Sequence, residues 1–564
     1  MNSPRTILFI AFLVVTFYLY QNWVIDTAPG VQQQQAQQEN AQRSSNQDSS
    51  VPQAMTDNDA VPSASNQGQQ ASSDMPAATN SAASGQRIRV TTDVLDIRIN
   101  ARGGDIVAAE LKEFARTQNS EARFELLHAD PAKLYIAQSG LVGENGTDSA
   151  NGRPMFRVEQ TTFEMTGDTL EVPLYFTAED GTEIRKIFSF NKGGYDIGVR
   201  YEITNATDTT KSLQFYSQLK QLITEGSGNM MMPTYRGGAY SWDEDRYEKY
   251  DFDDMRDKPL SISTESGWVA MLEHYFVSAW IPREQSQTQM FSRVVGGNTA
   301  IMGMMYPTTR IEPGATETIS ATIFVGPKDQ DAMAAVAEDL DLTVDYGFLW
   351  WLAQPIFKLL QFLQGFLINW GLAIIATTVV IKALLYPLTK AQYVSMAKMR
   401  LIQPKMAAMK ERLGGDRQKM SQAMMKLYKE EKVNPLGGCL PMLLQLPIFL
   451  ALYWVLLESV ELRHAPLFLW IEDLSAKDPY YILPLLMGAS MFLMQKLQPS
   501  PATDPMQQKL LQYMPVIFTV FFLWFPSGLV LYWLVSNLIT IAQMLIIYRG
   551  LEKKGLMTRK GKKA

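Results

Sequence analysis

The chain has 564 residues, a formal net charge of −6 and a single cysteine, Cys439. One cysteine excludes an intramolecular disulfide framework, and the lack of H-E-x-x-H, C-x-x-C and G-x-x-x-x-G-K-[ST] leaves zinc hydrolysis and P-loop nucleotide chemistry without support. The charge is unevenly placed: residues 341–564 carry 24 Lys and Arg against 13 Asp and Glu, while residues 1–340 carry 27 against 44, so two different environments are expected rather than one soluble body.

Arg5 is followed by TILFIAFLVVTFYLYQNWVI, residues 6–25, a stretch of the length that crosses a hydrocarbon core. No A-x-A cleavage pattern follows, so residues 1–27 read as an uncleaved transmembrane anchor, and Arg5 favours a cytoplasmic N-terminus. Residues 28–86 are rich in Gln, Ser, Ala and Asn. Such a segment cannot bury enough surface to offset its ordering entropy and reads as a disordered polar linker. From residue 87 the texture changes to short runs that alternate polar and apolar, such as RIRVTTDVLDIRI, TLEVPLYFTA, YDIGVRYEIT and ETISATIFVG. Gly- and Asn-rich turns separate them, which predicts a large antiparallel sandwich over 87–340.

Residues 341–364 contain FLWWLAQPIFKLLQFLQ, with Gln354, Lys358 and Gln361 on one helical face, the pattern of an amphipathic helix lying in the membrane interface. Apolar stretches follow near 366–388, 440–460, 480–495, 513–525 and 528–548. With the first anchor they predict six spans, five of them in a core over 365–548. The fold class is therefore a multi-domain membrane protein, an α-helical bundle of six transmembrane spans carrying an all-β domain.

Charge sets the topology. Residues 389–434 hold 11 basic and 4 acidic side chains, and the tail 549–564 holds 7 and 1, whereas the loop 461–478 holds 2 and 4. The positive-inside tendency places the first two in the cytoplasm and the third outside. Both termini are then cytoplasmic, and the acidic sandwich lies outside as well.

Within the cytoplasmic segment, residues 391–434 read as two helices joined at Gly414-Gly415. Met399, Met406 and Met409, with Ile402 and Leu413, form an apolar stripe that Met420 and Met424 continue. Such a stripe is either the seam of a helical hairpin or a docking surface of flexible thioethers. Its basic flanks would suit ribosomal RNA or anionic lipid.

The spans carry polar residues that a purely structural helix does not need. Thr378 and Lys382 share one face of the second span, Gln445 sits within PMLLQLPIF, and Tyr532, Ser536 and Gln543 line up on the last span beside Asn537. Interhelical hydrogen bonds would explain any one of these. Together with a cation they also suit a hydrated cavity. A Lys at the bilayer centre is unfavourable by roughly 2.5–3.5 kcal/mol even on the insertion scale. On a continuous helix Lys390 would lie about 12 Å further on, so Lys382 reads equally as a site or as a side chain that snorkels to the cytoplasmic surface. The three histidines, His128, His274 and His464, stand far apart in sequence and read as structural.

YPLTKAQYVSMAKMR, KVNPLGGCLPMLLQLPIFLALY, DPYYILPLLMG and FFLWFPSGLVLYW together closely resemble the YidC family of bacterial membrane protein insertases, over residues 345–555. The anchor, linker and large sandwich resemble its Gram-negative form, whose periplasmic domain is a β-supersandwich similar to sugar-mutarotase folds. The resemblance implies a non-enzymatic insertase with no cofactor or metal. Its substrate groove would involve Lys382, Thr378, Gln445, Trp524, Tyr532 and Ser536, with contacts from Met399, Met406, Met409, Met420 and Met424 on the cytoplasmic hairpin. The implied partners are nascent inner-membrane proteins, the Sec translocon, membrane lipids and, through the basic hairpin and tail, the ribosome; DNA is not among them. Familiar members carry arginine where this chain has Lys382 and often a second tyrosine where it has Trp533. Two other readings are a secondary transporter or channel with a periplasmic sugar-binding domain, and a membrane-anchored sugar-modifying enzyme. The first lacks an acidic residue at mid-depth, and the second lacks an acid/base constellation around its histidines.

Overall fold

The structure is a computed structural model that describes residues 86–149, 152–224, 234–283, 286–413, 417–431, 440–497 and 505–553. The expected N-terminal anchor, almost all of the linker, the Gly414-Gly415 joint and most of the basic tail lie outside the described residues. The chain divides into two compact units that meet in sequence between Val344 and Asp345.

The first unit holds a ten-stranded and an eight-stranded sheet, as the period-two patterning predicts. RIRVTTDVLDIRI proves to be two strands, Arg87–Thr91 and Leu95–Asn100, paired antiparallel, and the first of these alternates exposed and buried side chains. Of two short helices, α1 (Phe252–Asp257) falls between strands and α2 (Gln330–Val336) follows the last strand, Thr316–Pro327. Asp251 caps α1 and Asp329 caps α2 through their carboxylates, each satisfying backbone N–H groups that the helix itself leaves unpaired. The sheets are joined by large side chains with one polar atom each. The Tyr135 hydroxyl donates to Met271 O at 3.2 Å, the Tyr201 hydroxyl to Ser139 O at 3.1 Å, and Trp280 Nε1 to Gln218 O at 3.1 Å. Each ring buries apolar area while its polar atom finds a carbonyl, as burial requires.

The same interior contains charge. Arg153 donates to Asp148 at 2.8 Å and also to Asp105, and its third nitrogen reaches Ser139 O at 2.7 Å. Nearby, the fully buried Lys186 donates to Gly104 O at 2.8 Å, Gly103 O at 3.0 Å and Ser139 O at 3.3 Å. Its ammonium fits because Gly104, at φ +64°, has no side chain; a Cβ there would stand 2.8 Å from Lys186 Cδ. Burial pushes the Lys186 ammonium down from 10.5 to about 7. Between those values the unfolded chain holds a proton that the folded one has released, so stability rises with pH in that window. The urea midpoint of this unit, read by pulse proteolysis, should therefore rise from pH 7 to pH 9, and Lys186→Met should remove that contribution to the slope.

The second unit is helical: α3 (Trp350–Leu367), α4 (Trp370–Leu384), α5 (Tyr386–Leu413), α6 (Arg417–Glu430), α7 (Leu440–Glu458), α8 (Ile482–Leu497), α9 (Pro505–Phe521) and α10 (Ser527–Lys553). Among the described residues, α10 alone is a single helix long and apolar enough to cross a membrane, and α4 with the start of α5 passes the same test as a bent pair. Apolar helices also cover 445–458, 482–497 and 512–524, each shorter than that test requires. On α3, Ala353, Ile356, Phe357 and Leu360 are buried, while Trp350, Trp351, Phe362 and Phe366 are exposed. Lys358 and Gln361 are exposed as well, so the outward side mixes large rings with polar heads, a composition that suits a membrane interface.

The second predicted span, 366–388, is not one continuous helix. α4 ends at Leu384 and α5 sets off from Tyr386 at a bend of 62°. Pro387 has no N–H to donate to the carbonyl four residues back, so the ladder breaks there, while its fixed φ suits the first turn of the next helix. Lys382 is thus in the last turn of α4, and the straight-helix distance to Lys390 does not apply.

Candidate functional site

α4 is started by Asn369, whose Oδ1 accepts from Leu372 N at 2.9 Å. The Asn369 amide donates to Pro466 O at 3.0 Å and Leu467 O at 2.8 Å, in the connection between α7 and α8. The same connection carries the buried Asp478, which accepts from Trp470 Nε1 at 3.1 Å and from Leu483 N at 2.6 Å at the start of α8. Ser527, the first residue of α10, donates to Ala476 O at 2.8 Å. The starts of α4, α8 and α10 are therefore tied to one loop. Lys382 lies twelve residues along α4 from this tied end, about 18 Å at the helical rise.

At that depth the predicted residues converge. Lys382 is 9% exposed, and its Nζ donates to Gln445 Oε1 of α7 at 3.2 Å and to Thr540 Oγ1 of α10 at 3.1 Å. Gln445 Nε2 in turn donates to the Tyr532 hydroxyl at 3.0 Å. Three helices thus meet around one amine, and both of its acceptors are neutral. Among the described residues no carboxylate makes an ion pair with Lys382. An ammonium has three protons to donate, and two are used here. What the arrangement offers chemically is a cation, fixed in direction by two oxygens and set within an apolar bundle, with donor capacity left for an anionic or carbonyl group.

The remaining predicted residues are placed differently. Thr378 is buried and turns its hydroxyl back to Ile374 O at 2.7 Å, one turn before Lys382. Ser536 is 8% exposed, and its carbonyl accepts from Thr540 Oγ1 at 2.7 Å, which aims the Thr540 oxygen lone pairs at the amine. Trp524 stands in the turn Phe522–Trp524, 48% exposed, with no hydrogen bond or ring contact to the described members of the cluster. Thr540 is the member of this cluster that the sequence reading missed. It lies four after Ser536 and eight after Tyr532, on their helical face, and that spacing is the signal that would have found it. Gln543 donates to Lys382 O at 3.1 Å, meeting a carbonyl left free at the end of α4. Asn537 donates to Ser490 Oγ of α8 at 3.0 Å, an interhelical bond away from the amine.

In the α5–α6 pair, Met399, Met406, Met409 and Met424 are half-buried, Ile402 and Leu427 are buried, and the side chain of Met420 lies outside the described residues. Lys405 of α5 pairs at 2.5 Å with Glu431, just past the end of α6, and the Tyr428 hydroxyl of α6 reaches Met406 Sδ of α5 at 3.9 Å. Of the stripe, Met406 is thus engaged where the two helices meet. The three histidines are scattered, and among the described residues no group of His, Cys, Asp and Glu could hold a metal ion.

Two family models match, the YidC periplasmic domain over residues 87–359 and the 60Kd inner membrane protein over residues 362–554. A relative in Actinobacillus succinogenes, named membrane protein insertase YidC, is 54% identical with all of both chains covered. The chain belongs to the YidC family. Proteins of the same name in Haemophilus influenzae and in a Shewanella species are 53% and 54% identical, each over 99% of this chain and 100% of their own length. Among solved structures, an active YidC insertase with its first transmembrane domain resolved covers 83% of this chain and 93% of its own at 20% identity and a TM-score of 0.37. A galactose mutarotase related enzyme from Lactobacillus acidophilus covers 42% of this chain and 97% of its own at 10% identity and a TM-score of 0.30.

Proposed function

We propose that the chain is a membrane protein insertase of the bacterial inner membrane, not an enzyme, and that it receives nascent membrane proteins at the polar cluster around Lys382. The observation that carries this reading is an amine 9% exposed between apolar helices, held by two neutral oxygens. An unneutralised cation at this depth is unfavourable in lipid, so a hydrated groove is the environment that tolerates it. Water and the cation together lower the desolvation barrier for a short acidic tail entering from the cytoplasm. The apolar span that follows such a tail partitions into lipid without further help, leaving sideways past the exposed apolar faces. No nucleotide or metal is needed for either step.

The finer assignments follow the charge pattern. Six spans, with both termini cytoplasmic and the β-rich unit in the periplasm, satisfy every loop by the positive-inside tendency. The basic hairpin and tail suit the ribosome and anionic lipid headgroups, and longer substrates would engage the Sec translocon alongside the chain.

The test is reconstitution of the full-length chain alone in liposomes with a short single-span substrate. Insertion above that of empty liposomes, read by protection of the translocated tail from protease, is the expected result. Protection equal to that in empty liposomes would overturn the reading.

A further inference from the structure

Lys382 is held to α10 at two points. Gln543 donates to its backbone carbonyl at 3.1 Å, and Thr540, three residues earlier on the same face of α10, accepts from its Nζ at 3.1 Å. Gln445 of α7 meets the amine alone, at 3.2 Å. Thus α10 fixes both the root and the head of this side chain, and α7 only the head. The distinction matters for a lysine. Its charge stands on a flexible four-carbon stem, without the planar fork that lets an arginine be held along an edge. The direction of the ammonium is therefore set by the oxygens around it.

The Thr540 hydroxyl suits that task because its own proton is engaged. A hydroxyl has one proton to give and two lone pairs. Here the proton goes to Ser536 O at 2.7 Å, one turn back on α10, and that bond selects between the two rotamers open to a helical threonine. What faces the amine is then a fixed acceptor. Its proton is not available to an incoming carboxylate, which finds its donor on Lys382 instead. Without the Thr540 oxygen the amine keeps one acceptor among the described side chains, Gln445 Oε1. A single hydrogen bond leaves the stem free to swing about that point and follow water.

We infer that Thr540 is a positioning residue of the groove: it holds the Lys382 ammonium in the orientation that meets an acidic tail, and so sets the preference for acidic over neutral tails. The inference rests on the reading of Lys382 as the cation that attracts substrate, and adds a residue that acts only through that cation. Two substitutions separate oxygen from shape. Valine keeps the branched shape of threonine and removes the oxygen, whereas serine keeps the oxygen and removes the methyl group.

The test uses the full-length chain in liposomes and two single-span substrates whose tails differ only in carrying two carboxylates or none, read by the initial rate of protease protection. Thr540→Val should slow the acidic-tailed substrate roughly fivefold, the scale of one net hydrogen bond, and the neutral-tailed one much less. Thr540→Ser should stay within about twofold of the unaltered chain, since the acceptor is retained. Added to Lys382→Met, Thr540→Val should change the rate no further, because a residue that acts through the amine has nothing left to position. Equal slowing of both tails by Thr540→Val, or the same loss in Thr540→Ser, would assign the residue to packing and overturn the inference. Further slowing by Thr540→Val in the Lys382→Met background would overturn it too. If Lys382→Met slows the acidic tail and Thr540→Val does not, the inference falls and the reading of Lys382 stands. If Lys382→Met slows neither tail, both fall.

Discussion

Lys382→Met should slow insertion of a substrate with an acidic tail roughly tenfold in the liposome assay, while Lys382→Arg should stay within about twofold. Methionine keeps the length and apolar stem of lysine and removes only the charge. Its cost to the fold is small, because Thr540 Oγ1 still donates to Ser536 O and Gln445 Nε2 still donates to Tyr532. The effect on the substrate is not small. A carboxylate about 6 Å from the amine gains on the order of 3 kcal/mol at an effective dielectric near 20, and a tenfold change in rate needs about 1.4 kcal/mol. A substrate whose tail is neutral should therefore be slowed much less than one whose tail carries two carboxylates. If methionine slows both tails alike, the charge acts on the bundle and not on the substrate. If it slows neither, Lys382 is a side chain reaching for water and the cluster is interhelical glue.

That prediction rests on a site partly visible in the sequence, for a physical reason. A Lys, a Gln and a Tyr inside apolar stretches stand out because lipid-facing helices have no use for them, so Lys382, Gln445 and Tyr532 could be named before any contact was known. Thr540 could not be singled out in the same way. Threonine is common in membrane helices, where its hydroxyl can bond its own helix, as Thr378 does with Ile374 O, and only the approach of the amine distinguishes the two. The break after Leu384 was also hidden. Hydropathy runs through Pro387 unchanged, whereas the hydrogen-bond ladder does not. Trp524 came from likeness to the family, and the described contacts do not join it to the amine.

The β-rich unit was legible in its strands and not in its charges. Alternation marks which face of a strand is buried, and TLEVPLYFTA and YDIGVRYEIT fold as the strands Thr169–Thr177 and Asp196–Thr204. Alternation also leads a reader to send every Lys and Arg to the surface. Lys186 and Arg153 break that rule, because carbonyls and carboxylates distant in sequence meet them inside. Asp105 is 48 residues from Arg153, and no local pattern announces such a partner.

Arg153→Met should accordingly be among the most destabilising single changes in the chain, lowering the unfolding free energy of the β-rich unit by about 3–5 kcal/mol. The guanidinium side chain is 2% exposed, and it holds two carboxylates whose side chains are 9% and 1% exposed. Removing it leaves both negative charges in the interior, close to one another. Among the described side chains, Asp105 would keep the Gln138 amide at 2.8 Å, and Asp148 the Tyr216 hydroxyl at 2.8 Å and the Thr147 hydroxyl at 3.2 Å. Neutral donors cannot replace a cation that bonds one nitrogen to each carboxylate where water is excluded. The cause is separable from simple loss of packing. Arg153→Met combined with Asp105→Asn and Asp148→Asn removes all three charges and keeps their approximate volumes, so it should recover much of the lost stability. Replacing a whole buried ionic group is commonly tolerated where removing one member is not, and residues in contact are where additivity fails. Pulse proteolysis of the full-length chain across a urea series reads the folded fraction of this unit directly. A triple variant no more stable than Arg153→Met would show that the network is held by its shape, and that its charge balance contributes little.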